Sequence, residues 1–117
     1  MLAQPHRLRR RADFQDVIRN GRRCGSRLAV VYAAAVNRGA DQTGTAVWQG
    51  GVVVSKAVGN SVVRHRVARR LRAIMAAELP NLEEPKRVVV RALGPAASAD
   101  YRELERAVGR CVREAAK

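Results

Sequence analysis

One long helical segment with a strand-length apolar run on each side constrains this chain's fold more than any other feature. Asn60 or Ser61 can cap a first turn, apolar residues at helical spacing follow, and Pro80 cannot continue the helix, so it should end at Leu79. Before it, TAVWQGGVVVSK (45–56) holds two apolar runs split by Gly50 and Gly51, which predicts a hairpin or a bulged strand. After it, RVVVRAL (87–93) predicts another strand. A helix that joins strands must cross the sheet, so the expectation is an α+β or α/β domain with helices mainly on one face. The other face, or its rim, is left for a partner.

The remaining elements fit that frame. Phe14, Val17 and Ile18 fall at i, i+3 and i+4, and Asn20-Gly21 offers a left-handed stop, which predicts a short amphipathic helix over 11–20. LAVVYAAAV (28–36) reads as a buried strand and NRGADQTG (37–44) as a turn-rich loop. Asp100 and Glu103 form a capping pair, and Tyr101, Leu104, Val108, Cys111, Val112 and Ala115 share one helical face behind them. Trp48 and Tyr101 read as packing residues. At 117 residues the chain suits a single domain, with a basic N-terminal arm over about residues 1–11.

No apolar run approaches the roughly 18 to 20 residues that span a bilayer, and the basic N-terminus has no apolar stretch behind it. A cytoplasmic protein with no membrane partner is expected. Cys24 and Cys111 are the only cysteines and make no metal motif, so reduced, partly buried thiols are expected.

Charge then narrows the function. The net charge is +13, and its distribution is uneven. Residues 1–27 carry eight arginines and two aspartates, and residues 56–72 carry five arginines and one lysine with no acid. Residues 73–117 hold eight basic and seven acidic groups, the mixed composition of an ordinary solvated face. A polyanionic partner is implied. Of the 23 basic residues 20 are arginine, whose planar fork suits phosphate, although genome composition alone could also raise arginine.

On a helical wheel of about 100° per residue with Val63 at zero, Ile74, Val67, Leu71 and Met75 lie between about 20° and 120°. Arg72, His65, Arg69, Arg66 and Arg70 lie between about 180° and 340°. Arg64, at about 100°, is the exception and can project past the core toward the strand ends. A charged helix face is ordinarily just solvated, but such faces mix signs, and here no acid occurs between Lys56 and Glu78. A nucleic-acid-binding helix is the stronger reading.

Other chemistries find little support. Strands, not a helix and a short turn, precede the basic helix, which disfavours a helix-turn-helix. There is no GxxG loop and no aromatic strand signature, and GGVVVSK lacks the glycine before its lysine that a phosphate loop needs. His6 and His65 are the only histidines, and no paired carboxylates form a readable motif, so no catalytic residue is assigned.

KAVGNSVVRHRVARRLR (56–72) resembles the signature of the protein subunit of bacterial ribonuclease P, through Lys56, Gly59, Asn60, Arg64, Arg66, Arg69 and Arg72. RLRRRADFQDVIRNGRR, VVYAA and RVVVRALGPAA extend the likeness over nearly the whole chain. Three departures stand out: His65 replaces the central Asn of an Arg-Asn-Arg core, Ile18 a second phenylalanine, and Ala57 and Ala68 frequent lysines. The resemblance implies an α/β sandwich similar to ribosomal protein S5 domain 2, with order α-β-β-β-α-β-α and a left-handed βαβ crossover. It implies an endoribonuclease subunit whose RNA partner removes the 5′ leader from precursor tRNA using Mg²⁺ bound mainly by the RNA, while the protein raises substrate and Mg²⁺ affinity.

By the same resemblance, Lys56, Asn60, Arg64, His65, Arg66, Arg69, Arg70 and Arg72 would contact the catalytic RNA. Phe14, Tyr32, Val54 and Arg11 would line a cleft for the single-stranded leader, though Phe14 and Tyr32 also suit a core short of aromatics. No protein partner would be required. The alternative is a general RNA-binding or ribosome-associated protein with no role in tRNA processing.

Overall fold

The computed structural model describes residues 2, 4–36 and 47–117. Its elements are α1 (Arg11–Asn20), β1 (Arg22–Gly25), β2 (Ala29–Ala35), β3 (Gln49–Val53), α2 (Ser61–Glu78), β4 (Lys86–Ala92) and α3 (Tyr101–Ala115). This is the expected order, in a mixed α+β fold with one four-stranded sheet ordered β1-β2-β4-β3. β4 lies between its two neighbours, antiparallel to β2 and parallel to β3, so α2 is the crossover between adjacent parallel strands.

Alternation along the strands divides the core in two. Val31 and Ala33 of β2 and Val88 and Val90 of β4 face Val67, Leu71, Ile74 and Met75 of α2 and Leu104, Val108, Cys111 and Val112 of α3. Val30, Tyr32 and Val89 point the other way, toward Leu8 and Val17. Two helices therefore cover one face and only the ten-residue α1 packs on the other, which leaves part of that face open.

Three sequence expectations change. The run 45–56 contributes one strand, β3, and not a pair; residues 37–46, including the expected loop, lie outside the described residues. Its two glycines neither turn nor bulge the chain. A Cβ on Gly50 would come within 2.5 Å of Met75 Cε, and one on Gly51 within 2.4 Å of the Phe14 ring, so each glycine admits a close neighbour on its own face.

The extra strand is instead β1, which forms a hairpin with β2. Ser26 turns it: its Oγ accepts from the backbone N–H groups of Leu28 and Ala29 at 3.2 Å each. Gly21 is extended (φ −80°, ψ 163°) and not left-handed. Glycine is needed there because a Cβ would lie 2.4 Å from the Val17 carbonyl oxygen and 2.8 Å from that of Ala33. Tyr101, expected to pack, is 38% exposed because the buried stripe of α3 begins one turn later, at Leu104.

The helix caps follow the sequence. Asn60 Oδ1 accepts from Val63 N–H at 3.0 Å, and Asp100 and Glu103 form a reciprocal capping box. The segment before α1 docks on the edge of β3: Leu8 N–H donates to Gly50 O at 3.0 Å, and the His6 ring stacks on Trp48 with centroids 3.8 Å apart. The two thiols touch, with Cys24 Sγ 2.8 Å from Cys111 Sγ, and burial pushes the Cys111 pKa up to about 11.

Arg87 is 8% exposed and donates from Nε to Ala35 O at 2.9 Å and from Nη2 to Asp16 Oδ2 at 2.7 Å. That bond, with a second from Asn20, holds the Asp16 carboxyl below its ordinary range. Asp16 thus pins α1 to β4. Asp16→Ala strands a nearly buried guanidinium, whereas Arg87→Met removes the charge and keeps the volume. Thermal denaturation should show the larger loss for Asp16→Ala; the reverse order would mean that the pair behaves as a surface contact.

Candidate nucleic-acid interface

Two separate surfaces collect the residues singled out in the sequence. The first is the outer side of α2 with the turn before it. Lys56 begins a short 3-10 turn, Lys56–Val58, and is exposed. Gly59 follows with φ +156° and ψ −166°, a conformation open essentially to glycine alone, and it aims Asn60 to cap the helix. No acid occupies the first turn of α2, so its unpaired amides keep their partial positive charge.

The wheel is borne out where it matters for packing: Val67, Leu71, Ile74 and Met75 are buried and Val63 is partly so. The cationic side chains split into two groups. Arg66 and Arg70 lean toward the turn before α3, donating to Ala97 O at 3.4 Å and Ala99 O at 3.3 Å. Arg64, His65 and Arg72 line an open groove of about 290 Å³ with Val52, Val54, Ser61 and Ala68. Arg64 runs toward the end of β3, and its Nε is enclosed with no hydrogen-bond partner. Arg69 is exposed. None of these cations is in an ion pair with a carboxylate among the described residues.

The second surface is the open part of the α1-side sheet face. Cross-strand register sets Arg23, Tyr32, Val89 and Gly51 in one row, and the Phe14 ring lies over Gly51. The next row is Gly25, Val30, Arg91 and Val53. Phe14 and Tyr32 are therefore brought together, about 10 Å apart along the row, at two strand spacings. Arg11 is exposed at the start of α1, and Ile18 sits one helical turn beyond Phe14 at 37% exposure.

Val54 is not on this face. It packs on the α2 side and belongs to the groove with Arg64 and His65. Arg23, Val53 and Arg91 went unnoticed in the sequence. The period-2 alternation of residues 87, 89, 91 and 93 would have set Arg91 beside Val89; no sequence signal marks Arg23, because β1 itself is not legible. Both arginines are exposed, so the face has an apolar floor with cationic edges, which suits unstacked bases joined by phosphates.

Among the described residues no three His, Cys, Asp or Glu side chains converge. No described helix is long and apolar enough to cross a membrane.

Known proteins share this fold and much of this sequence. A family model described as Ribonuclease P matches residues 2–116. The Ribonuclease P protein component of Corynebacterium urealyticum is 46% identical over an alignment of length 124, gaps included, covering 96% of each chain. That of Acidothermus cellulolyticus is 47% identical over 104 residues, covering 89% of this chain and 82% of the relative. Among solved structures, the RNase P protein of Staphylococcus aureus is similar with a TM-score of 0.79 at 25% identity, covering 96% of both chains. The RNase P protein of Thermotoga maritima, at 19% identity and a TM-score of 0.75 over 92% of this chain and 96% of its own, shares the fold.

Proposed function

The chain belongs to the ribonuclease P protein family, and from that premise we propose a division of labour between its two surfaces. Membership gives it a role in tRNA processing as part of an endoribonuclease complex with an RNA partner. In the proposed arrangement the catalytic RNA lies along Lys56, Asn60, Arg64, His65, Arg66, Arg69, Arg70 and Arg72. The 5′ leader of precursor tRNA lies across the other face, on Phe14 and Tyr32, with Arg11, Arg23 and Arg91 at its phosphates. Val54 serves the α2 groove. Bond cleavage belongs to the RNA, which holds the Mg²⁺, and the protein acts in the cytoplasm as one unit over residues 1–117.

One observation carries this reading: an α2 face of arginines unmatched by acid backs onto a sheet whose opposite face offers aromatic and apolar floor between exposed arginines. A general RNA-binding protein needs only the first surface. The protein holds and orients RNA. Its guanidiniums fork onto phosphate oxygens, and its open sheet face gives a base a place to stack away from water.

Reconstitution of the chain with its cognate RNA should raise leader removal at low Mg²⁺, and no improvement over RNA alone would sink the proposal. Arg66→Ala should make the slope of log affinity against log salt shallower by about one. An unchanged slope would place Arg66 away from phosphate.

A further inference from the structure

By composition, residues 73–117 form an ordinary mixed surface, but the fold sorts their signs. At about 100° per residue, Arg102, Arg113, Arg106 and Arg110 of α3 fall within about 80° of one another. The acids near this arc are engaged. Glu103 closes the capping box and reaches Arg27 at 3.5 Å, Glu114 pairs with Lys117 at 3.1 Å, and Glu78 pairs with Arg113 at 3.1 Å. Glu105 lies on the far flank, about 60° from Arg102. Arg102, Arg106 and Arg110 are exposed and have no carboxylate within ion-pair distance among the described residues.

This stripe is not isolated. Arg66 and Arg70 of α2 donate to the carbonyls of Ala97 and Ala99, immediately before α3, so the basic side of α2 meets the stripe at its Arg102 end. Along its flank Arg106 and Arg110 line an open groove of about 370 Å³ with Ser26, Arg27 and Glu103, the last two paired with each other. Successive arginines four residues apart rise about 6 Å along the helix. A protein partner would want an apolar or aromatic centre. The stripe has none, since Ala107 at its edge is only partly exposed.

We propose that Arg102, Arg106 and Arg110 are a second phosphate-binding surface that continues the α2 face and extends the protein's grip on the RNA subunit. The inference rests on the reading of α2 as the RNA-subunit face. The partner is RNA backbone, and of the two RNAs in the complex the RNA subunit is assigned by continuity with α2.

The test is the full-length chain carrying Arg102→Gln, Arg106→Gln and Arg110→Gln, titrated against the RNA subunit and, separately, against precursor tRNA over a range of salt. Affinity for the RNA subunit should fall at least tenfold at moderate salt, and the log–log salt slope should become shallower by about two, with precursor tRNA binding unchanged. The melting temperature is the folding control; should the triple variant unfold, Arg106→Glu alone should weaken RNA-subunit binding more than Arg106→Gln does. Unchanged affinity and slope, with Arg66→Ala still lowering the slope, would overturn the second surface and leave the α2 reading intact. A loss confined to precursor tRNA would overturn the assignment to the RNA subunit. If the unmodified chain fails to bind the RNA subunit, the reading beneath the inference falls instead.

Discussion

Gly51→Val should destabilise the protein by about 1–3 kcal/mol, and adding Phe14→Ala should restore part of that loss. A Cβ on Gly51 would meet Phe14 Cε1 and Cζ at 2.4 Å and Leu8 Cβ at 3.3 Å, so the ring must leave the sheet or the strand must shift. Taking the ring away relieves the clash, which makes the double variant more stable than the sum of the two single changes. Chemical denaturation of all four proteins measures the coupling; strictly additive effects would mean that the ring does not lie over Gly51. The same set reads the leader surface. Phe14→Ala alone should leave assembly with the RNA intact yet weaken leader-containing precursor relative to mature tRNA, by up to the roughly 1–3 kcal/mol of one stacked base. Equal weakening of both substrates would remove Phe14 from the leader path.

Gly59→Ala should cost about 1–3 kcal/mol, because φ +156° with ψ −166° is a region that a side chain makes unfavourable. The new Cβ would also lie 2.9 Å from Val63 Cγ1, on the residue whose N–H Asn60 caps. The damage therefore reaches function by a second route. Relaxing Gly59 swings Asn60 off the helix and Lys56 away from the arginines that follow. RNA-subunit affinity should fall together with the melting temperature, even though Gly59 has no side chain to touch RNA. A variant that melts earlier but binds RNA normally once folded would show that the turn is only structural. Asn60→Ala isolates the cap, and should cost about 1 kcal/mol.

The elements that were legible in the sequence are those whose signal is local. The start of α2 announces itself by Asn60, its end by Pro80 and its buried stripe by spacing, and α3 does so by Asp100 and Glu103. β1 was not legible: RRCG is short and mostly exposed, and it is a strand because its backbone pairs with β2. The reason for Gly50 and Gly51 was hidden for the same cause. Their neighbours, Met75 and Phe14, come from distant parts of the chain, and nothing local distinguishes a glycine that admits a ring from one that turns.

The candidate site divides along the same line. The α2 cations could be placed on one face because a helix has a fixed period. The alternation that assigns Val54 to one side and Val53 to the other needed the register of β3. The free arginines of the α3 stripe were masked by counting charges along the chain, since the nearby acids Glu78, Glu103 and Glu114 pair with Arg113, Arg27 and Lys117 and not with Arg102, Arg106 or Arg110.

The position of β4 bears on how the protein is made. β2 and β3 do not pair with each other; they are joined only through β4, which follows both in the sequence. During synthesis the β1–β2 hairpin can close early, but β3 and α2 have no sheet to join until residues 86–92 have left the ribosome. The sheet thus closes in one late step across long chain separations, the kind of topology that slows folding. Until β4 arrives, the apolar stripe of α2 has no sheet to cover it, while its arginines already face outward to any polyanion nearby.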